Sequence, residues 1–194
     1  PNADRGVFRS KDGGKSWQKV LYKSDSAGCI QVVMDPNDPE VLYASLWQVY
    51  RTPWSMSSGG RHSKLYKSTN GGDTWVDISV NEGLPKGICG KICMAVSPVN
   101  SDRVFAMVEN ANGGLFRSDD AGQTWVKITE ERVIKQRPWY FSGVFADTKN
   151  QDIVYVLNVA YHKSTDGGKT FSTDWAQHAD NHDMWINPDN PNIM

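Results

Sequence analysis

Cysteine is scarce in this chain, long apolar runs are missing, and neither sign of charge prevails. The three cysteines stand at 29, 89 and 93. Extended residues four apart, such as Cys89 and Cys93, sit too far apart to bridge. No disulfide framework is therefore legible, and the redox compartment stays open. No run approaches the ~20 apolar residues that a bilayer-crossing helix needs. Lys and Arg number 21 against 22 Asp and Glu, a net charge of −1. That balance excludes the basic stripe of a nucleic-acid-binding domain and the polybasic patch of a membrane-surface protein. No stretch sustains a helical period, so the reading is all-β. The chain opens on Pro1 without an initiator Met or a signal-peptide pattern, as a mature or clipped chain does.

One eight-residue motif occurs four times: Ser-x-Asp-x-Gly-x-(Ser/Thr)-aromatic. The copies are Ser10–Trp17, Ser68–Trp75, Ser118–Trp125 and Ser164–Phe171, each preceded by a short apolar strand. Ser and Asp side chains bond nearby backbone N–H groups and replace a regular turn. Gly at the fifth position supplies a positive φ, and the aromatic is expected to re-enter the core as the next strand begins. Asn70 stands for Asp in the second copy and can make the same turn. Ala121 stands in the third copy where the others have Gly. These features read as a folding staple in preference to a calcium or substrate loop.

A second pattern runs in step with the first. An apolar strand, a Pro/Asn/Asp turn and another apolar strand recur around 35–39, 97–102, 147–152 and 187–191. Together the two patterns give four strands per unit and a repeat of roughly 50 residues, the size of a propeller blade. The chain is thus expected to hold a half-blade at 1–25, blades at 26–81, 87–130 and 138–175, and a half-blade at 181–194. It would begin in a third strand and end in a second strand at Ile193–Met194. Pairing of the half-blades would close four blades; a piece of a larger propeller is the favoured reading, its partners being the remaining blades of a longer chain.

The four motifs resemble Asp boxes, or BNR repeats. These close the outer hairpin of propeller blades in sialidases, xyloglucan-degrading glycoside hydrolases, sortilin-type receptors and a photosystem assembly factor. The box specifies architecture more than function. A narrower resemblance rests on Trp47-Gln48, Arg51-Thr52-Pro53-Trp54, Ser58-Gly59-Gly60, Gly83-Leu84-Pro85, Gly90-Lys91-Ile92, Ala95-Val96-Ser97-Pro98, Gly113-Gly114-Leu115 and His178-x-Asp180-x-His182. This set is similar to large secreted bacterial BNR-repeat proteins of sortilin-type or glycosyl-hydrolase-like description. It implies a secreted or cell-surface location and no cofactor. Arg61-His62-Ser63-Lys64 departs from that pattern, as do Cys89 and Cys93.

In a propeller, second-to-third loops and blade-to-blade links face away from the boxes and carry function. The longest such segment is 47–64, with Trp47, Tyr50, Arg51 and Trp54 as candidate ligand-binding residues. Aromatic faces stack on sugars or apolar peptide groups, and Arg presents a fork to a carboxylate or sulfate. Trp47 and Trp54 can equally plug the loop's own small core. The link 129–140 adds Arg137, Trp139 and Tyr140, which would stand near the channel mouth. The link 175–183 carries His178, Asp180 and His182. In an extended chain these three project to one side. They suit a hydrogen-bonded network, a divalent metal lacking a fourth identifiable ligand, or acid–base chemistry with Asp180 as the catalytic group.

Three functions compete. The first is a glycan-binding or glycan-cleaving propeller, a possible glycoside hydrolase. It would show two carboxylates on opposite walls of a groove, and a partner for Asp180 is not identifiable from sequence. The second is a sortilin-like propeller with a peptide or protein in an apolar channel. The third is a structural repeat of a cell-surface assembly.

Overall fold

The computed structural model describes residues 1–175 and 178–194. Strand β1 (Val7–Arg9) pairs with β2 (Gln18–Leu21) in a two-stranded antiparallel sheet. The second sheet is ordered β3 (Ala27–Met34), β4 (Leu42–Arg51), β6 (Lys64–Ser68), β7 (Val76–Asp77), with β5 (Met56–Ser58) added to the far end of β4. The third runs β8 (Ile92–Val96), β9 (Val104–Val108), β10 (Gly114–Ser118), β11 (Val126–Thr129). The fourth runs β12 (Gly143–Ala146), β13 (Val154–Leu157), β14 (Tyr161–Ser164), β15 (Ser172–Asp174). No helix occurs among the described residues. Each sheet is a meander in chain order, because short turns of Gly, Asn, Asp and Pro join consecutive strands.

The sheets stack face to face, and period-two alternation explains how the third serves two neighbours. Val104, Ala106 and Val108 of β9 face the second sheet, in a cluster with Tyr43, Leu65 and Ile78. Phe105 and Met107, the intervening residues, face the fourth sheet, with Val144, Val154 and Val156. Both faces of β8 and β9 are buried throughout. That is why these strands read as continuous apolar runs in place of alternating ones. A third cluster, of Leu21, Ala27, Ala44, Leu46 and Tyr66, joins the first two sheets. First strands lie side by side, β3 against β8 and β8 against β12. The result is an open run of propeller blades around one axis.

All four boxes share two hydrogen bonds. The serine Oγ accepts the N–H of the fifth residue, at 2.7 Å from Gly14, 2.9 Å from Gly72, 2.8 Å from Gly122 and 2.9 Å from Gly168. The Asp or Asn Oδ1 accepts the N–H of the seventh residue at 2.8–3.0 Å. The three indoles each donate to the carbonyl of that same glycine. Asn70 inverts one bond: its Nδ2 donates to Thr74 Oγ1, whereas Ser16, Thr124 and Thr170 donate their hydroxyls to the carboxylates. Not every aromatic becomes a plug. Trp125 is 3% exposed beneath the second sheet, while Trp17 is 63% exposed, since the first sheet packs only on its other side.

The fourth residue of each box also has positive φ: 70° at Gly13, 61° at Gly71, 56° at Ala121 and 75° at Gly167. Its N–H is strapped to the first-to-second turn of its own blade, through Glu40 O, Asp102 O and Asp152 O at 2.8–2.9 Å. Its carbonyl receives the preceding blade. Arg9 donates to Gly71 O, Lys67 and the Tyr43 hydroxyl to Ala121 O, and Arg117 to Gly167 O. The cation immediately before each of the first three boxes therefore clasps the next box. Ala121 is the one clasped residue with a Cβ in left-handed backbone, a strained choice. Replacement by Gly is expected to raise stability by about 0.5–1 kcal/mol, net of the added chain entropy. A urea titration reads this directly, and an unchanged or lower midpoint would contradict it.

The second pattern repeats as faithfully. Asp35, Ser97, Asp147 and Asn187 each donate their N–H across the turn, to Val41, Arg103, Ile153 and Ile193 O at 2.9–3.1 Å. The sequence expectation fails beyond that last turn's geometry. Residues 184–186 and 193–194 form no strand, although the Asn187–Ile193 bond places them as a first and second strand would begin.

Candidate functional site

The segment 47–64 is a hairpin and not the loop its length suggested. Strand β4 continues to Arg51, and β5 pairs back on it through Val49↔Ser58, Tyr50↔Ser57 and Arg51↔Met56. Thr52 makes the turn, its N–H donating to Ser55 O and its Oγ1 accepting the Ser55 N–H. The base is fixed by a relay. Trp47 Nε1 donates to Ser58 Oγ, Ser58 Oγ donates to Glu109 Oε2, and Glu109 accepts the Lys91 N–H. Trp47 is thus a structural strut. Trp54, at the tip, is 84% exposed. Arg51, Trp54, Met56 and Ser58 line an open cavity of about 430 Å³ whose far wall is Trp139. Tyr50 is exposed but lies outside that cavity.

Trp139 arrives from the link 129–140, anchored midway. Ile134 is fully buried, and the Val133 carbonyl accepts Asn158 Nδ2 at 3.0 Å. From Trp139 a chain of rings continues. Trp139 and Tyr140 lie 5.9 Å apart between centroids, Tyr140 and His182 6.0 Å, and Phe141 and His182 5.0 Å. Five sequence-nominated residues, Arg51, Trp54, Trp139, Tyr140 and His182, therefore form one band across three segments. On the other side of Pro138, Arg132, Lys135, Gln136 and Arg137 line a basic recess of about 480 Å³.

Residues 176 and 177 of the link 175–183 lie outside the described residues. The expectation that 178, 180 and 182 share a side does not hold. Asp180 has a φ of 66°, which breaks the extended alternation the argument required. Its N–H donates to Val159 O at 3.2 Å, and His178 is exposed. Among the described residues no group of three or more His, Cys, Asp or Glu could hold a metal. The pocket that does contain two carboxylates holds Asp174 and Asp183, with Tyr161, Trp175, Trp185 and Met184, in about 510 Å³. Asp180 is not part of it. Each of the two accepts the N–H of the next residue on Oδ1 at 2.8 Å. Sequence reasoning missed this pair. The signal was Asp174-Trp175 and Asp183-x-Trp185, an acid beside an indole on either side of one link.

Also missed was His162, 1% exposed on β14. Its Nε2 meets Asn158 Oδ1 at 3.1 Å and its Nδ1 meets Thr173 Oγ1 at 3.0 Å. The carbonyl oxygen of Asn158 accepts only, so Nε2 carries the proton and Nδ1 accepts from Thr173. Burial pushes its pKa below the ordinary imidazole value. Asn158 also receives the Asn181 N–H on its backbone carbonyl. One buried pair thereby joins both links that carry the band. Burial likewise drives the Cys93 thiol up to about 11, and Cys29, Cys89 and Cys93 are all free. The inner strands leave a separate, largely apolar groove of about 270 Å³, lined by Val33, Met94, Val144, Phe145 and Trp185 among others.

Residues 8–19 match the BNR/Asp-box repeat family model. The chain carries Asp-box (BNR) repeats on an open run of β-propeller blades. This Asp-box propeller is 30% identical over 169 residues to a xyloglucanase of Paenibacillus sp, covering 82% of the chain and 15% of that relative. The chain thus spans about 15% of the length of that curated relative. Among solved structures, an ancestral GH74 enzyme superposes with a TM-score of 0.58 at 20% identity, over 86% of this chain and 21% of that one. YCF48 bound to D1 peptide superposes with a TM-score of 0.54 at 14% identity, over 79% and 41%. At those identities the two structures speak to the Asp-box propeller's fold alone.

Proposed function

We propose that this chain is a glycan-binding stretch of a larger xyloglucanase-like propeller working outside the cell. The observation that carries the reading is the band of Trp54, Trp139, Tyr140 and His182 bordering an open cavity. Flat rings with a long exposed run fit a chain of sugars, whose C–H faces stack on aromatic faces. The similarity to a curated xyloglucanase supports the same ligand class. The reading is of binding. Cleavage needs two carboxylates flanking one glycosidic bond; Asp174 and Asp183 do share a pocket, but it has no lining residue in common with the aromatic cavity, and Asp180 does not line it. The apolar inner groove favours a second reading, a sortilin-like propeller with a peptide ligand.

Titration calorimetry with a xyloglucan oligosaccharide tests the first reading. Trp54→Ala and Trp139→Ala should each weaken binding roughly tenfold, about 1.4 kcal/mol, for loss of one stacked ring. Both side chains reach solvent, so the melting temperature should hold. Absence of binding, or variants that bind like the parent, would end the glycan reading in favour of the groove.

A further inference from the structure

Seven of the eight arginines, all but Arg5, divide by side. At the box end Arg9, Arg103 and Arg117 are all ion-paired, with Asp73, Asp119 and Asp152. At the loop end Arg51, Arg61, Arg132 and Arg137 make no ion pair among the described residues, and each lines a cavity. Two of them share one recess with Lys135, and no carboxylate lines it. The nearby acid Glu130 is bonded to Lys127. The turn that presents these cations is stiff. Lys135 N–H donates to Arg132 O, Ile134 is sealed in the core, and Asn158 holds the Val133 carbonyl.

We infer that the recess of Arg132, Lys135 and Arg137 binds an oxyanion, and that the ligand of this face is an acidic glycan. Two guanidinium forks and an ammonium, with no carboxylate in the lining and Glu130 acting on Lys135 only from outside it, match a carboxylate or a sulfate ester better than a neutral sugar. Along the chain only Pro138 stands between the recess and the stacking wall, since Arg137 lines one and Trp139 the other. A ligand seated across both carries a ring face and an anionic group on neighbouring units. The inference rests on the glycan reading and narrows it from sugars in general to uronic acids or sulfated sugars.

Calorimetry on the intact chain, with three probes, tests it: a neutral xyloglucan oligosaccharide, an oligosaccharide of uronic acids, and a sulfated neutral oligosaccharide. At least one acidic probe is expected to bind about tenfold more tightly than the neutral one, the value of one good charge-assisted pair. Which of the two does so identifies the anion. Arg132→Gln and Arg137→Gln should each remove that advantage and leave neutral binding unchanged, with Lys135→Gln acting more weakly. Thermal melts confirm that the variants are folded. If the neutral probe binds as tightly as both acidic ones and still depends on Trp139, the inference fails and the glycan reading stands. If no probe binds, both fail. If polyglutamate displaces the acidic probe as well as the acidic probe itself does, the recess is merely cationic and the inference is overturned.

Discussion

Gly83→Ala is expected to destabilise the chain by at least about 3 kcal/mol, the largest effect of any single methyl group in it. Gly83 has a φ of 91°, and a Cβ there would stand 1.6 Å from the Trp125 carbonyl oxygen and 2.5 Å from its carbon. Neither partner can yield. Trp125 is 3% exposed in the core between the second and third sheets, and its N–H donates to Glu82 O at 2.8 Å. The link 81–85 thus lies directly against the third box, and left-handed strain adds to a backbone clash. Chemical denaturation followed by tryptophan fluorescence measures the loss. A cost below about 1 kcal/mol would mean that this link does not seat on Trp125.

The second large effect separates two substitutions at one position. Asp120→Ala removes the acceptor for Thr124 N–H at 2.8 Å, for Thr124 Oγ1 at 2.6 Å and for Ser118 Oγ at 2.7 Å. Loss of bonds to a charged group in this setting costs about 2–3 kcal/mol. Asp120→Asn should cost under about 1 kcal/mol, because the amide oxygen keeps two of those bonds. Its nitrogen can donate to Thr124, as Asn70 does to Thr74. An Asn variant as damaged as the Ala variant would show that charge, not geometry, holds the box. The same bonds create an acid limit. The Ser16 hydroxyl and then its N–H hold Asp12 down to about 2, and the Thr170 hydroxyl and then its N–H hold Asp166 well below the usual range. Burial pushes Asp120 upward, but its bonds to Thr124 and Ser118 win and its pKa too is lowered. Folded values thus lie below the unfolded one of about 3.9, so this stabilisation is complete above about pH 4 and fades as pH falls through the folded values. In Asp120→Asn one box no longer titrates, and an acid titration should show a correspondingly shallower loss.

The repeat made most of the fold legible. A Ser, an Asp and a Gly at fixed spacing dictate a turn by local hydrogen bonds, and local bonds are what a single sequence displays. The same reasoning found the Pro/Asn/Asp turns, including Asn187–Ile193, but overstated 184–186 and 193–194, because a strand needs a paired neighbour as well as an apolar run. Arg51, Trp54, Trp139, Tyr140 and His182 could be nominated one segment at a time, as aromatic or polar residues on the loop end of a propeller, but that three segments bring them near one another is not written in any one of them. Trp47 was not separable from Trp54 by composition. Only the Ser58–Glu109 relay distinguishes a strut from an exposed tip. The triplet 178, 180 and 182 failed on one torsion, the positive φ of Asp180, a conformation that Asp tolerates better than most residues but does not dictate. Asp174 and Asp183 escaped notice because the meeting of the two ends of one link in a single pocket is a tertiary fact.

The clasps between blades give the array a direction. Arg9, Lys67 and Arg117 each reach forward to a box, and in these contacts no box reaches back. Each clasp is lost as fully by damage to the cation as by damage to the carbonyl that receives it, and the hydrophobic clusters between sheets are shared in the same way. In a stack whose stability is a sum over neighbours, injury to one blade should therefore loosen the blade on either side of it and fade with distance along the chain.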